Sequence, residues 1–235
     1  MSDTTDIFQR FSRCLLPSDL SAEARIEYAA LARVHALQAD CASQLDDGGD
    51  SLVFVGDGAI KLVAHASDER EQVVAFYFAE DLLTVPANGA HRYSLSALRN
   101  TNFLAFPYGP FLERSQGHSQ ILETLLNRHA LSLKRSREKT IALGRKTASE
   151  RLASFLLGMA ERIGTSADAG ASMLLDLPMS RRDIADSLGL TIETVSRQFS
   201  LMRERGLIET QGRSGVLLSS LSALKQRSGS LQNAA

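Results

Sequence analysis

The stretch from Ser180 to Gly206, SRRDIADSLGLTIETVSRQFSLMRERG, constrains this chain more than any other. It predicts two short helices around a tight turn. Ser180 is a good N-cap for the first helix, whose buried stripe is Ile184, Ala185 and Leu188. Gly189 suits a left-handed C-terminal position, and Thr191 can cap the second helix. On that second helix Val195, Phe199 and Met202 share one face, while Glu193, Ser196, Arg197 and Ser200 share another. An apolar back and a short polar front suit a helix to a DNA major groove.

An amphipathic helix pair alone is weak testimony, because Glu and Arg four apart often form only a solvated i,i+4 contact. The residues that follow narrow the reading. Leu207–Thr210 reads as a strand, 211–215 as a turn (Gln-Gly-Arg-Ser-Gly), and Val216–Ser219 as a second strand. A helix pair followed by a hairpin is a winged helix, with Arg213 at the wing tip as a candidate phosphate contact.

The motif ETVSR at Glu193–Arg197, following LPMSRRDIADSLGL, resembles the recognition motif of the cyclic-AMP receptor/fumarate-nitrate regulator (CRP/FNR) superfamily, and most of all its FixK-type branch. Ala148–Phe155, ASERLASF, is similar to the segment just after that family's interdomain hinge. The resemblance is specific from about Ser136 onward and looser upstream. It implies an α+β architecture: an N-terminal jelly-roll of the cyclic-nucleotide-binding type, a long dimerisation helix and a C-terminal winged helix-turn-helix. It further implies a homodimeric, cytoplasmic transcription regulator without catalytic activity, which would work with RNA polymerase on genes of oxygen- or nitrogen-oxide-linked metabolism.

Composition is compatible with this. Residues 1–117 hold 9 Lys/Arg against 16 Asp/Glu, and residues 118–235 hold 17 against 11, so an acidic front half precedes a basic back half. That asymmetry fits a sensor domain joined to a DNA-binding domain. No run of 18 apolar residues is present, so no membrane span is expected, and the acidic start argues against a secretory signal. The two cysteines, Cys14 and Cys41, are expected as reduced thiols.

Along the chain, Ser21–Leu37 reads as a helix with a serine N-cap. Leu52–Val55 and Ala59–Val63 read as strands around Gly56-Asp57-Gly58. Gln72–Phe78, Tyr93–Leu98 and Asn102–Phe106 are further strands of an antiparallel β-roll. His118 to about Leu143 is predicted as one helix on the order of 40 Å long. Its heptad row Leu122, Leu126, His129, Leu133, Ser136, Thr140 and Leu143 is a candidate dimer seam, with Ile121 and Leu125 free to pack on the helix's own domain. Gly144–Thr147 would be a hinge, Ala148–Ile163 a helix, Gly164–Ser172 a loop, Met173–Leu177 a strand and Arg227–Ala235 a frayed end. The expected domains are therefore 1–117, 118–143 and 144–235.

Arg197 can give two parallel hydrogen bonds to guanine O6 and N7, and Glu193 can accept from cytosine N4. Ser196 is small enough to bring the helix close to a base edge or a thymine methyl. In the family this set resembles readers of a TTGA half-site, implying a TTGA–N6–TCAA-like inverted repeat. Phosphate contacts are expected from Ser180, Arg181, Arg182, Thr191, Thr194, Arg213 and Ser214.

The family's cyclic-nucleotide sites use a Gly-Glu step and an arginine for the phosphate. Here Glu80 follows Ala79, the arginine position falls on Tyr93, and Arg92 is one residue off, on the other face of a strand. Cyclic AMP is therefore not expected. An iron–sulfur cluster needs four cysteine ligands, and the chain has two. Haem through His35, His65, His91, His118 or His129 stays open as an alternative of the same fold. A cupin-like metal enzyme would need clustered histidines, and no His-x-His occurs. The FixK resemblance implies DNA binding without a small effector. The sequence leaves open the signal and the choice between activation and repression.

Overall fold

The computed structural model describes residues 4–45, 48–66, 71–87, 89–168 and 172–229. In chain order the elements are α1 (Thr4–Leu15), α2 (Ala22–Leu31), β1 (Arg33–Leu37), β2 (Ala42–Ser43), β3 (Ser51–Asp57), β4 (Ala59–His65), β5 (Glu71–Phe78), β6 (Leu82–Val85), β7 (Arg92–Ala97), β8 (Thr101–Pro107), α3 (Tyr108–Ser115), α4 (Ser119–Arg145), α5 (Ala148–Ile163), β9 (Thr165–Asp168), β10 (Ser172–Asp176), α6 (Arg181–Leu188), α7 (Ile192–Glu204), β11 (Ile208–Gln211), β12 (Gly215–Leu218) and α8 (Leu221–Arg227). The chain divides into two compact units, residues 1–134 and 135–235, and α4 spans the boundary.

The first unit is the expected antiparallel β-roll. One sheet runs β1-β8-β3-β6 and the other β2-β7-β4-β5. Side chains from both meet in one core: Val53, Val55, Leu83, Val85, Phe103 and Ala105 from the first, Ile60, Leu62 and Leu95 from the second. β3 is buried through six consecutive residues because its other face is covered too. There Leu52 and Phe54 join Leu104 and Phe106 of β8 against Ile7, Phe11 and Leu15 of α1, Phe111 of α3, and Ile121 and Leu125 of α4. Phe11 lies 4.6 Å from Phe106 between ring centroids. Each such aromatic contributes about 1.5–3 kcal/mol by burial. Gly56 lets α1 approach, since a Cβ there would stand 2.6 Å from Ile7 Cγ2.

Ser21 does cap a helix, but the helix stops at Leu31 rather than Leu37. Residues 33–37 pair instead with Ala105–Thr101 of β8, so edge pairing overrides helical periodicity there. α1, β2, β6, α3 and α8 are elements beyond those expected from the sequence.

The second unit holds the sheet β11-β12-β10-β9 with α5, α6, α7 and α8. Gly164–Ser172 is not all loop: β9 pairs with β10 across a register shift, and 169–171 lie outside the described residues. The expected hinge at 144–147 is only partly open. Helix α4 continues to Arg145, and Thr147 closes a capping box with Glu150 at the start of α5. Of the expected frayed end, Arg227 completes α8 and bonds Ser149 Oγ at 2.7 Å, and Ser228 is fully buried. Positions 230–235 lie outside the described residues.

Candidate nucleic-acid interface

Helix α6 starts in a reciprocal capping box. Ser180 Oγ accepts from Asp183 N at 3.2 Å, and Asp183 Oδ2 accepts from Ser180 N at 2.8 Å. It ends at Gly189, whose φ of 60° and ψ of 43° are left-handed. Thr191 then caps α7 by accepting from Thr194 N at 3.2 Å. Ile184, Ala185 and Leu188 of α6 are buried with Val195, Phe199 and Met202 of α7. The apolar backs thus lock the second helix, and its front is left to solvent.

That front carries Glu193, Ser196 and Arg197, all exposed, with Ser200 half-buried beside them. Hydrogen bonds from its own backbone N–H and from the Thr191 hydroxyl hold the Glu193 carboxyl below the usual range, so it is an acceptor at neutral pH. Among the described residues no hydrogen bond or ion pair holds the Arg197 guanidinium. A free fork beside a fixed carboxylate can engage base edges.

The expected phosphate contacts divide into groups. Arg182 and Arg213 are exposed, Arg213 in the turn between β11 and β12. Ser180, Thr191 and Thr194 hydroxyls are engaged in the two caps: Ser180 donates to Asp183 Oδ2 at 2.6 Å, and Thr191 Oγ1 lies 3.1 Å from Thr194 Oγ1. Ser214 is half-buried, and its carbonyl accepts from Leu177 N at 2.9 Å, tying the wing to the segment before α6. Arg181 is engaged within the protein. Its guanidinium is half-buried over the Phe199 ring, 3.3 Å from the centroid, where it braces α6 against α7.

On α4, Leu122, Leu126, Leu133, Ser136 and Thr140 are exposed, as a row awaiting a partner requires. Ile121 and Leu125 pack on the helix's own unit. His129 leaves the row. It is half-buried, its Nε2 2.9 Å from Thr84 Oγ1 on β6 and its Nδ1 2.8 Å from Leu125 O, so it fastens α4 to the roll. Heptad spacing cannot distinguish a seam residue from one a few tens of degrees round the same helix.

In the roll, Tyr93 packs on the inner core and Arg92 is exposed. These residues present no guanidinium to the interior where a cyclic phosphate would need one, and so they do not fit that ligand. Glu80 takes a left-handed φ of 68°. His35 stacks on Phe103 at 4.8 Å, and burial, with Arg33 nearby, lowers its pKa. His65 Nε2 lies 2.7 Å from Ser94 Oγ and its Nδ1 3.3 Å from Glu71. His91 is exposed and His118 half-buried. Among the described residues no three His, Cys, Asp or Glu side chains cluster as metal ligands would. Cys41 is exposed; Cys14 is half-buried, and burial raises its thiol pKa.

A Crp-like helix-turn-helix domain is recognised over residues 150–227. The nitrogen fixation regulation protein FixK of Bradyrhizobium diazoefficiens is 36% identical over 176 residues, 75% of this chain and 73% of that protein. The chain belongs to the CRP/FNR family. Within the family it is a FixK-like DNA-binding transcription regulator rather than an enzyme. The transcriptional activator protein FnrL of Cereibacter sphaeroides is 32% identical over 186 residues, 77% of this chain and 75% of its own. FixK2 from Bradyrhizobium japonicum superposes with a TM-score of 0.72 at 30% identity, covering 86% of this chain and 99% of that one. CooA from Carboxydothermus hydrogenoformans, at 20% identity, shares the fold, with a TM-score of 0.74 over 91% of this chain and 93% of its own. Glu193, Ser196, Arg197 and Arg213 of this CRP/FNR member thus lie within the part of the chain that the domain match covers. No helix among the described residues is long and apolar enough to cross a membrane.

Proposed function

We propose that the protein acts in the cytoplasm as a homodimer that reads a TTGA–N6–TCAA-like inverted repeat, one half-site per α7. Glu193, Ser196 and Arg197 are the base-reading residues. Arg182 and Arg213 contact phosphates, helped by the capped helix ends at Ser180 and Thr191 and by the wing at Ser214. The observation that carries this reading is the exposure of Glu193, Ser196 and Arg197 together on a helix whose opposite face is locked. Leu122, Leu126 and Leu133 supply the seam. The regulator works with RNA polymerase and serves oxygen- or nitrogen-oxide-linked metabolism; the printed names of its relatives, a nitrogen fixation regulation protein and a transcriptional activator, support the transcriptional part of this reading. It does so without cyclic AMP or an iron–sulfur cluster, a reading supported by Tyr93 in the arginine position and by two cysteines in place of four.

The test is an anisotropy titration of full-length protein against the inverted repeat and a scrambled duplex at fixed salt. Specific binding tighter by a factor of about 1,000 or more is expected. Equal affinity for the two duplexes would overturn the proposal. Adding cyclic AMP is expected to leave the curve unmoved.

A further inference from the structure

Carbonyl oxygens from two helix ends converge on one side chain. Arg151, in the first turn of α5, donates from Nε to Lys146 O at 2.9 Å, from Nη2 to Leu143 O at 2.7 Å and from Nη1 to Leu188 O at 3.0 Å. Leu143 lies in the last turn of α4 and Lys146 directly follows it. Leu188 ends α6, one residue before the left-handed Gly189 of the turn into α7. A guanidinium is planar with donors in a fixed fork, so one that holds three carbonyls fixes the three chain segments relative to each other. Its charge also suits two helix C-termini.

The same junction has further ties. Lys139 Nζ lies 3.2 Å from Ser187 Oγ on α6, and Lys146 Nζ lies 2.8 Å from Ser154 Oγ on α5. Leu143 packs where a Cβ on Gly189 would stand, 3.3 Å away. By contrast, residues 130–138 of α4 are exposed without interruption. The last two turns of α4 therefore belong mechanically to the helix-turn-helix.

We infer that Arg151 is a positioning residue for operator recognition, fixing the separation and rotational phase of the two α7 helices by clamping each to its own dimerisation helix. The inference rests on the dimeric reading proposed above. Removing Arg151 takes away no atom that meets DNA, so each half-site is still read. What loosens is the relation of one half to the other. A duplex is strict about that relation, because one added base pair displaces a half-site by about 3.4 Å and about a tenth of a turn. A stiff dimer discriminates between spacers and a slack one tolerates them.

Wild type, Arg151→Lys and Arg151→Gln are titrated as full-length proteins against duplexes with five-, six- and seven-base-pair spacers and against a single half-site. Wild type is expected to prefer six by about tenfold or more. The variants should narrow that ratio to about threefold or less, with single-half-site affinity, half-site sequence preference and dimer mass unchanged. Variants that keep the wild-type spacer ratio overturn the inference, and so does a uniform loss on every duplex, which marks Arg151 as merely structural. If both variants lose a cooperative melt, Lys139→Met, which cuts the second tie to α6, takes the same titrations, and an unchanged ratio overturns the clamp. A wild type indifferent to the second half-site overturns the dimeric reading, and the inference with it. A wild type that prefers the repeat while the variants keep its spacer ratio leaves that reading standing and removes this one.

Discussion

Arg197 and Arg213 are both exposed arginines of the second unit, yet they are expected to fail differently. On the proposed reading Arg197→Ala removes a base contact and should weaken the specific duplex by about 1–3 kcal/mol while leaving random DNA nearly untouched. On the same reading Arg213→Ala removes a phosphate contact and should weaken all sequences alike, flattening the salt dependence by about one unit. Titrations of both variants across a salt series separate the two roles, and equal losses on specific and random duplexes from both would count against the assignment. Lys139 shows what a sequence does not display. With Lys134, Arg135 and Arg137 it forms a basic stretch of α4 that suits either a solvated face or a position near DNA, but burial brings its ammonium down from 10.5 to about 8. Below about pH 8 both folded and unfolded chains are protonated and the folded state bears the full burial penalty. Between about 8 and 10.5 only the unfolded chain holds the proton, so stability rises with pH. Wild type should therefore gain about 1–3 kcal/mol relative to Lys139→Met between pH 7.5 and 10 in urea denaturation. Parallel curves for the two proteins would remove Lys139 from this account.

At the level of elements, legibility followed the strength of local signals. Ser180, Gly189 and Thr191 are specific chemical punctuation, and the structure places α6 and α7 between them to within a residue. Gly189 is the sharpest case, because φ of 60° excludes an ordinary side chain without strain and Leu143 crowds the site. Gly189→Ala should cost about 1–2 kcal/mol in denaturation midpoint, with operator affinity falling as α7 tilts; a neutral effect would mean that the turn relaxes freely. β1 and β9 were not legible. Residues 33–37 continue the apolar spacing of α2, and their strand state comes from β8, distant in sequence. Residues 165–168 have a loop-like composition and become a strand by pairing with β10. Helix α1 carries a local signal of its own, Ile7, Phe11 and Leu15 at four-residue spacing, all buried with Phe54, Phe106 and Phe111. The candidate reading surface was legible because it is local. The different employments of Arg181 and His129 were not, since each is decided by a partner on another element.

For the molecule as a whole, the expected domains 1–117, 118–143 and 144–235 differ from the two compact units, whose boundary falls inside α4 near residue 134. The reason is that α4's first turns pack on the roll through Ile121 and Leu125, while its last turns are held by Arg151 and Lys139. Between them Leu126 and Leu133 remain 69% and 51% exposed, more than an isolated chain would favour for leucines on one helix face. Leu126→Glu with Leu133→Glu should convert dimer to monomer by light scattering and weaken operator binding on the order of 100-fold or more, because the second half-site then binds without the benefit of tethering. A double variant that still runs as a dimer would place the seam elsewhere. The stacked pair of Arg181 and Phe199 carries one more consequence. The guanidinium keeps its charge, and a ring already restricts its rotamers. It therefore draws a polyanion towards α7 over a distance and surrenders little freedom when the duplex arrives.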